Sequence, residues 1–296
     1  MRRPRRFLRR RRMGLTLLRC CYGSDKKEGV AQNISEENSP GMDIRSFPLF
    51  VFALSLIVLW LAALTGAYLR RRRRSVDEAE QQDLVVILTA ALTLLGLIIG
   101  FSFSMAVTRY DLRKSYEAEE ANAIGTEYVR TDLLHTDDAT KVRELLRRYL
   151  SQRISFYTER NAQHLEQINT STAELQSHLW TAVQAAAAAQ PTPVVALAVS
   201  GMNDVLNSQG YAQAAWWNRI PIAAWGLMLA VAIGCNFLFG YYARRPMEEH
   251  AREFLVLPLI VSIAFVLIAD MDTPHGGFIR VHPQNLEYLF RSLRAP

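Results

Sequence analysis

The sequence predicts an all-α integral membrane protein with four transmembrane helices and a helical extramembrane domain inserted between the second and third. Three observations predict it. Three stretches contain no Asp, Glu, Lys or Arg: Ser46 to Leu69, Val85 to Thr108, and Ile220 to Ala243. Each is roughly 24 residues long, and a straight helix needs about 20 to cross a hydrocarbon core of about 30 Å. A fourth uncharged run, Phe254 to Ala269, becomes long enough if its helix starts near Ala251 with Arg252 and Glu253 at the interface. Buried helices of a soluble protein would carry a polar stripe, and these runs carry none. Finally, the stretch between the second and third runs is charged and helical in period, with no strand pattern.

The expected organisation is an Arg-rich extension at 1–41, transmembrane helices 1 and 2 in 42–108, the extramembrane domain in 109–219, transmembrane helices 3 and 4 in 220–270, and a tail in 271–296. The net charge of +6 belongs to the extension, where eleven basic residues face four acids. Its polar part, Ser24 to Gly41, cannot bury a core and is expected to be disordered. Arg5-Arg6-Phe7-Leu8 is similar to a twin-arginine export signal, but the apolar run behind it, Met13 to Leu18, is short and Arg19 interrupts it. The compositional break favours translation starting at Met42 over a functional tail.

The first membrane helix is expected near 47–69, ending at Arg70 to Arg74 before an acidic loop with Asp77, Glu78, Glu80 and Asp83. The second, near 84–108, should continue as a helix beyond the membrane, because no proline occurs from Arg109 to Leu134; Ala121, Ile124, Gly125 and Tyr128 then form a small-residue stripe. A soluble helix follows, with Val142, Leu145, Leu146, Tyr149, Leu150 and Ile154 on one face, Arg and Glu on the other, and Asp138 as N-cap. A further helix is expected from Ser171 to Ala189, stopping before Pro191 and Pro193, and another from Val194 to Leu206 before a turn around Gly210. Trp216 and Trp217 read as interfacial aromatics. Pro221 suits the first turn of the third membrane helix, near 220–243, which Arg244, Arg245 and Pro246 end. The fourth, near 251–269, holds Pro258, which should kink it.

The composition narrows the function. The basic pI comes from a tail with no nucleic-acid-binding fold around it, so nucleic acid is not an expected partner; the lipid bilayer is. Cys20, Cys21 and Cys235 make no disulfide framework or metal spacing. No phosphate-binding loop, nucleophile elbow, HExxH or CxxC motif occurs, so neither an enzyme nor a cofactor is expected. His275 and His282 lie near Asp270 and Asp272, a set able to hold a metal, although a polar loop leaving the membrane explains them more simply. Glu117, Glu119 and Glu120 read as a solvated helix face. Thr93, Leu97 and Phe101 recur at i, i+4 and i+8, with Gly96, Gly100, Ser102 and Ser104 nearby. Such a stripe serves either helix packing or a hydrophobic constriction in a pore.

Three stretches resemble a known family. Gly100-Phe101-Ser102-Phe103-Ser104-Met105-Ala106-Val107-Thr108-Arg109-Tyr110 resembles the second membrane helix of bestrophin anion channels, where a glycine–phenylalanine pair is followed at this spacing by Val-Thr-Arg and an aromatic. Glu119-Glu120-Ala121-Asn122-Ala123-Ile124-Gly125-Thr126-Glu127-Tyr128 and Asp270-Met271-Asp272-Thr273-Pro274-His275-Gly276-Gly277 are similar to bacterial bestrophin-like membrane proteins. The resemblance covers about residues 46–296. It implies a bestrophin-like fold, a homo-oligomer (a pentamer in bestrophins) and a central pore lined by second helices. Phe101 and Leu97, with Thr93 as a third, would then be the apolar pore neck. The bestrophin calcium site uses a dense acidic cluster after the fourth helix; this chain offers only Asp270 and Asp272 as cation ligands, which puts calcium gating in question.

Orientation is read two ways. Arg70 to Arg74, Arg244, Arg245 and Arg252 place their loops in the cytoplasm by the positive-inside rule, and the helical domain outside. The Arg-rich N-terminus and the resemblance place that domain in the cytoplasm. The expected function is a cell-membrane ion channel or permeation pathway; the competing reading is a non-conducting membrane protein whose helical domain binds a partner or ligand.

Overall fold

The computed structural model describes residues 48–72, 78–242 and 253–294. The extension 1–41 with its Cys20 and Cys21, the acidic residue Asp77, and the loop arginines Arg73, Arg74, Arg244, Arg245 and Arg252 lie outside the described residues. Helix α1 spans Pro48–Arg72, α2 Glu78–Arg130, α3 Thr136–Thr158, α4 Ala162–Ala189, α5 Val195–Trp217, α6 Ile222–Tyr242, α7 Glu253–Asp272 and α8 Gln284–Ser292. A single 3-10 turn, Thr131–Leu133, ends α2, and no strand occurs among the described residues. Four helices are long and apolar enough to cross a membrane, as the uncharged runs require.

Helix α2 organises the molecule. Its 53 residues make a rod about 80 Å long at 1.5 Å per residue. One half is the uncharged membrane segment; the other runs on through the helical domain, as the proline-free stretch predicts. In the membrane half, α1 packs on α6 and α7. Gly66 and Gly240 set the α1–α6 contact: a Cβ on Gly66 would strike the Phe237 carbonyl, and one on Gly240 the Ala63 carbonyl. Backbones approach this closely only where side chains are absent, a common device between membrane helices. Leu59, Leu95, Met228, Ala232, Phe265 and Ile268 fill the centre of this bundle. Helix α7 continues through Pro258. In the apolar layer Ser55 bonds to the Phe52 carbonyl of its own helix at 3.1 Å and Thr65 to that of Ala62 at 2.8 Å, so these two hydroxyls present no unpaired donor towards lipid.

The helical domain has its own core, centred on Ile124, Val142, Leu146, Tyr149, Leu179 and Met202. The α3 stripe is met: Val142, Leu146, Tyr149 and Leu150 are fully buried. Several expectations about this domain need correction. Helix α3 begins at Thr136, and its N-cap is His135 without a side-chain bond; Asp137 and Asp138 sit in the first turn, where acids favour the helix dipole. Helix α4 starts at Ala162, nine residues before Ser171, because the Asn161 side chain accepts from the Gln163 amide at 2.9 Å and caps it. Helix α5 does not turn at Gly210 but runs to Trp217. Burial of Ala212, Ala215 and Trp216 outweighs the roughly 1 kcal/mol that a helical glycine costs. Trp216 is a core residue, 3% exposed and edge-on to Phe156, so only Trp217, 66% exposed, fits an interfacial place. The closing stretch carries α8, which packs on α2 and α3.

Candidate functional site

The membrane half of α2 leaves a face of large side chains uncovered. Leu97 is 54% exposed and Phe101 66% exposed, and Thr93 is exposed on the same face. The hydroxyls of Thr89 and Thr93 bond back to the Val85 and Thr89 carbonyls, both at 2.8 Å, so this face shows little polarity. A shallow apolar groove runs along it from Val85 to Leu97 and includes Thr93. Gly96 and Gly100 look into open space, with nothing near where a Cβ would stand. Of the two serines nearby, Ser102 is buried and Ser104 exposed. Within one chain, then, Gly96 and Gly100 pack against no other helix.

Just beyond the membrane segment, α2 is clamped to the ends of three other helices. Arg113 is buried and donates to the carbonyls of Ala215 at 3.1 Å, Met271 at 3.0 Å and Asn218 at 3.3 Å. Burial draws its pKa down to about 10, against the attraction of Asp272, so the guanidinium remains a cation at neutral pH. Asp272 accepts from the Ile220 amide at 2.9 Å and lies 3.5 Å from Arg109. Asp270 accepts from the amides of Phe278 at 2.6 Å and Ile279 at 2.8 Å. The turn closes on Asp270 because Gly277 has no side chain; a Cβ there would stand 2.6 Å from the Asp270 carbonyl oxygen. Both acids, singled out as cation ligands, thus hold backbone amides. His275 stacks on Trp216 at 4.3 Å and lies 3.2 Å from the Glu159 carbonyl, while His282 is exposed. Burial lowers the His275 pKa to about 4, so it is neutral at pH 7 and its Nδ1 must carry the proton to meet that carbonyl. Among the described residues no three His, Cys, Asp or Glu side chains gather to hold a metal.

The acids of the extramembrane half overturn the solvated-face reading. Of the three acids on that face, Glu117 and Glu120 are buried and Glu119 is exposed; Glu127, further along, is buried as well. Glu120 pairs with the buried Arg153 guanidinium and accepts from the Tyr157 hydroxyl at 3.1 Å. Burial works against the Arg153 charge, but the carboxylate beside it more than offsets this and holds the guanidinium charged more firmly than usual. Burial and the same carboxylate raise the pKa of both Tyr149 and Tyr157. Glu117 caps α8 from outside, accepting from the amides of Asn285 and Leu286, both at 3.0 Å, and from the Asn285 side chain at 2.6 Å. Glu127 has no hydrogen-bond partner for either oxygen. It lies against Gly201 beside Arg130, and burial pushes its pKa up to about 8, opposed by Arg130 and assisted by Asp204. Sequence reasoning missed these groups, although Arg153 stands three residues after Leu150 and four after Tyr149, squarely on the apolar stripe of α3.

Residues 51–286 match the family described as the Bestrophin-like domain. No curated relative matches. Three single-substitution variants of a bacterial bestrophin homologue from Klebsiella pneumoniae are similar in structure. One superposes with a TM-score of 0.59 at 11% identity, covering 82% of this chain and 95% of that one. A second gives 0.59 at 11%, covering 83% and 97%. The third gives 0.55 at 12%, again covering 83% and 97%. Likeness at such low identity shows a shared fold. The family match spans most of the sequence and four apolar helices lie within or beside it; the chain belongs to the bestrophin-like family and is a multi-pass membrane protein.

Proposed function

We propose that this protein is an oligomeric ion channel in which α2 of each copy lines a central pathway, with five copies as the resemblance implies. The observation that carries the reading is the uncovered face of α2. Leu97 and Phe101 are large, apolar and without a partner inside the chain, on the helix that the resemblance assigns to the pore. Arranged around an axis, they form the narrowest ring, with Thr93 one turn further along. A narrow apolar ring holds water poorly, so ions meet a dewetting barrier there. Asp270 and Asp272 are not given a calcium role, since their oxygens serve backbone amides.

Mass measurement of the purified protein in detergent, followed by current recording in lipid bilayers, tests the proposal. The expected result is a single oligomer that conducts. Phe101→Ala should raise conductance, and Leu97→Ala should raise it less, with the oligomer intact. A buried Phe behaves differently on truncation, costing about 3–5 kcal/mol in a soluble core. A monomer without current, or variants that lose assembly and never conduct, would return the stripe to helix packing and favour a non-conducting protein whose helical domain binds a partner.

A further inference from the structure

The arginines that close α1 are charges that the channel reading leaves unused. Helix α1 is uncharged from Pro48 to Leu69 and ends on Arg70, Arg71 and Arg72. At 1.5 Å per residue, Arg70 stands about 33 Å along the helix from Pro48. A hydrocarbon core is about 30 Å thick, so the three guanidinium groups reach the level of the lipid headgroups.

Arg70 is more than the first of a basic run. Ala63, Gly66 and Arg70 recur at i, i+3 and i+7, on the stripe of α1 that packs against α6. Gly66 lets the two backbones meet beside Phe237 and Tyr241. One turn further, the Arg70 guanidinium lies over the buried Tyr241 ring, 5.8 Å from its centroid. The Arg70 side chain is half-buried, and its Nη1 atom is fully covered without a hydrogen-bond acceptor. The bundle thus strips water from this cation and returns a ring face but no anion. Arg72 lies over the exposed Tyr68 ring at 4.9 Å, and Arg71 is exposed. Among the described residues no carboxylate pairs with any of the three.

Independently of whether the protein conducts, we infer that Arg70, with Arg71 and Arg72 beside it, binds the phosphate of an anionic phospholipid headgroup. A guanidinium is planar and offers paired N–H donors to two phosphate oxygens. The contact with Tyr241 holds the Arg70 side chain in place before lipid arrives, so little rotamer freedom is lost on binding. Headgroup phosphates are the anions that stand at this depth. A lipid of net negative charge gains from all three arginines, whereas the choline of a zwitterionic lipid is repelled by them.

The test titrates the full-length protein in detergent with phosphatidylglycerol, with phosphatidylcholine and with inorganic phosphate, and counts retained adducts by native mass spectrometry. Phosphatidylglycerol should bind at lower concentration than phosphatidylcholine, and inorganic phosphate should not compete with it. Arg70→Gln should weaken phosphatidylglycerol binding about fivefold or more. Arg70→Lys should restore only part of it, because an ammonium keeps the charge but not the fork. Arg160→Gln, an exposed arginine of the helical domain, should change nothing. The exposed pair Arg71→Gln with Arg72→Gln should weaken binding by a smaller factor and does not depend on the packed Arg70 variant folding. Equal uptake of the two lipids by the wild type overturns the inference, as does a folded Arg70→Gln that keeps wild-type affinity. Displacement of the lipid by inorganic phosphate would make this a site for a free anion and overturns it too. None of these results bears on the oligomer or its current.

Discussion

Beyond Thr108 towards Asp83, α2 is apolar and largely uncovered; from Arg109 to Arg130 the same helix is rich in charge, yet buries Arg113, Glu117, Glu120 and Glu127. Its most apolar stretch is only 6% buried, whereas that of α7, equally fit to span a membrane, is 50% buried. Apolar composition therefore says which solvent a helix meets, lipid or water, and not whether the rest of its own chain covers it. Helix α7 is the centre of the membrane bundle, and α2 is its outer wall. Charge in the extramembrane half, conversely, is not a mark of exposure. There it adds to apolar contact as a means of fixing α2 against α3 and α8.

The largest expected effect comes from that second half. Glu120→Ala leaves the Arg153 guanidinium buried without its carboxylate, and breaking such a pair typically costs about 3–5 kcal/mol. Replacing both partners, as Glu120→Leu with Arg153→Met, should cost less than either single change, because no uncompensated charge remains. Thermal unfolding of the purified protein in detergent, followed by tryptophan fluorescence, measures both. If the single variant melts with the wild type, the pair is not what holds α2 to α3.

A smaller effect should separate two kinds of glycine in the membrane half. Gly66→Ala or Gly240→Ala drives a methyl into a neighbouring helix backbone, and overpacking of this sort costs about 1–3 kcal/mol. Gly96→Ala or Gly100→Ala puts the same methyl into open space and should leave the stability of the single chain unchanged or slightly improved. The same melting experiment, run on monomeric protein in harsh detergent, compares them. Equal losses at all four sites would mean that the outer face of α2 is covered within the chain after all.

How much of this could be read beforehand follows from range. The four spans and the length of α2 rest on residues adjacent in sequence, and the uncharged runs and the missing proline disclosed them. The stripe of Thr93, Leu97 and Phe101 was legible as a stripe, but its exposure depends on where α6 and α7 pack, which no local pattern encodes. Glu117 and Glu120 looked solvated because their partners, Asn285 and Arg153, lie far along the chain. The readable sign was indirect: Glu117, Glu120 and Glu127 share the helical spacing of Ala121 and Ile124, which belong to the small-residue stripe. Trp216 was misplaced for the same reason, since its contacts with Phe156, Tyr157 and His275 join three separate segments.

The smallest and most specific test concerns Glu127, the one acid of this face whose oxygens meet no donor. Burial is the main cause of its raised pKa; Arg130 lowers it and Asp204 raises it. A glutamate that titrates at 4.5 when unfolded and near 8 when folded binds its proton more tightly in the folded state. Stability must then fall as pH rises wherever the unfolded chain has lost the proton and the folded one has kept it. Below about 4.5 both states are protonated and this group contributes no slope; between 4.5 and 8 stability declines; above 8 both are ionised and the decline stops. Glu127→Gln keeps the shape without the titration, so its melting temperature should lose that slope and exceed the wild type most clearly above pH 8. Asp204→Asn should move the end of the decline to lower pH, because it removes the charge that helps hold the proton on Glu127. Arg130→Gln should move it higher. If Glu127→Gln melts with the same pH slope as the wild type, the carboxylate is ionised in the folded protein, and Arg130 must be its ion-pair partner.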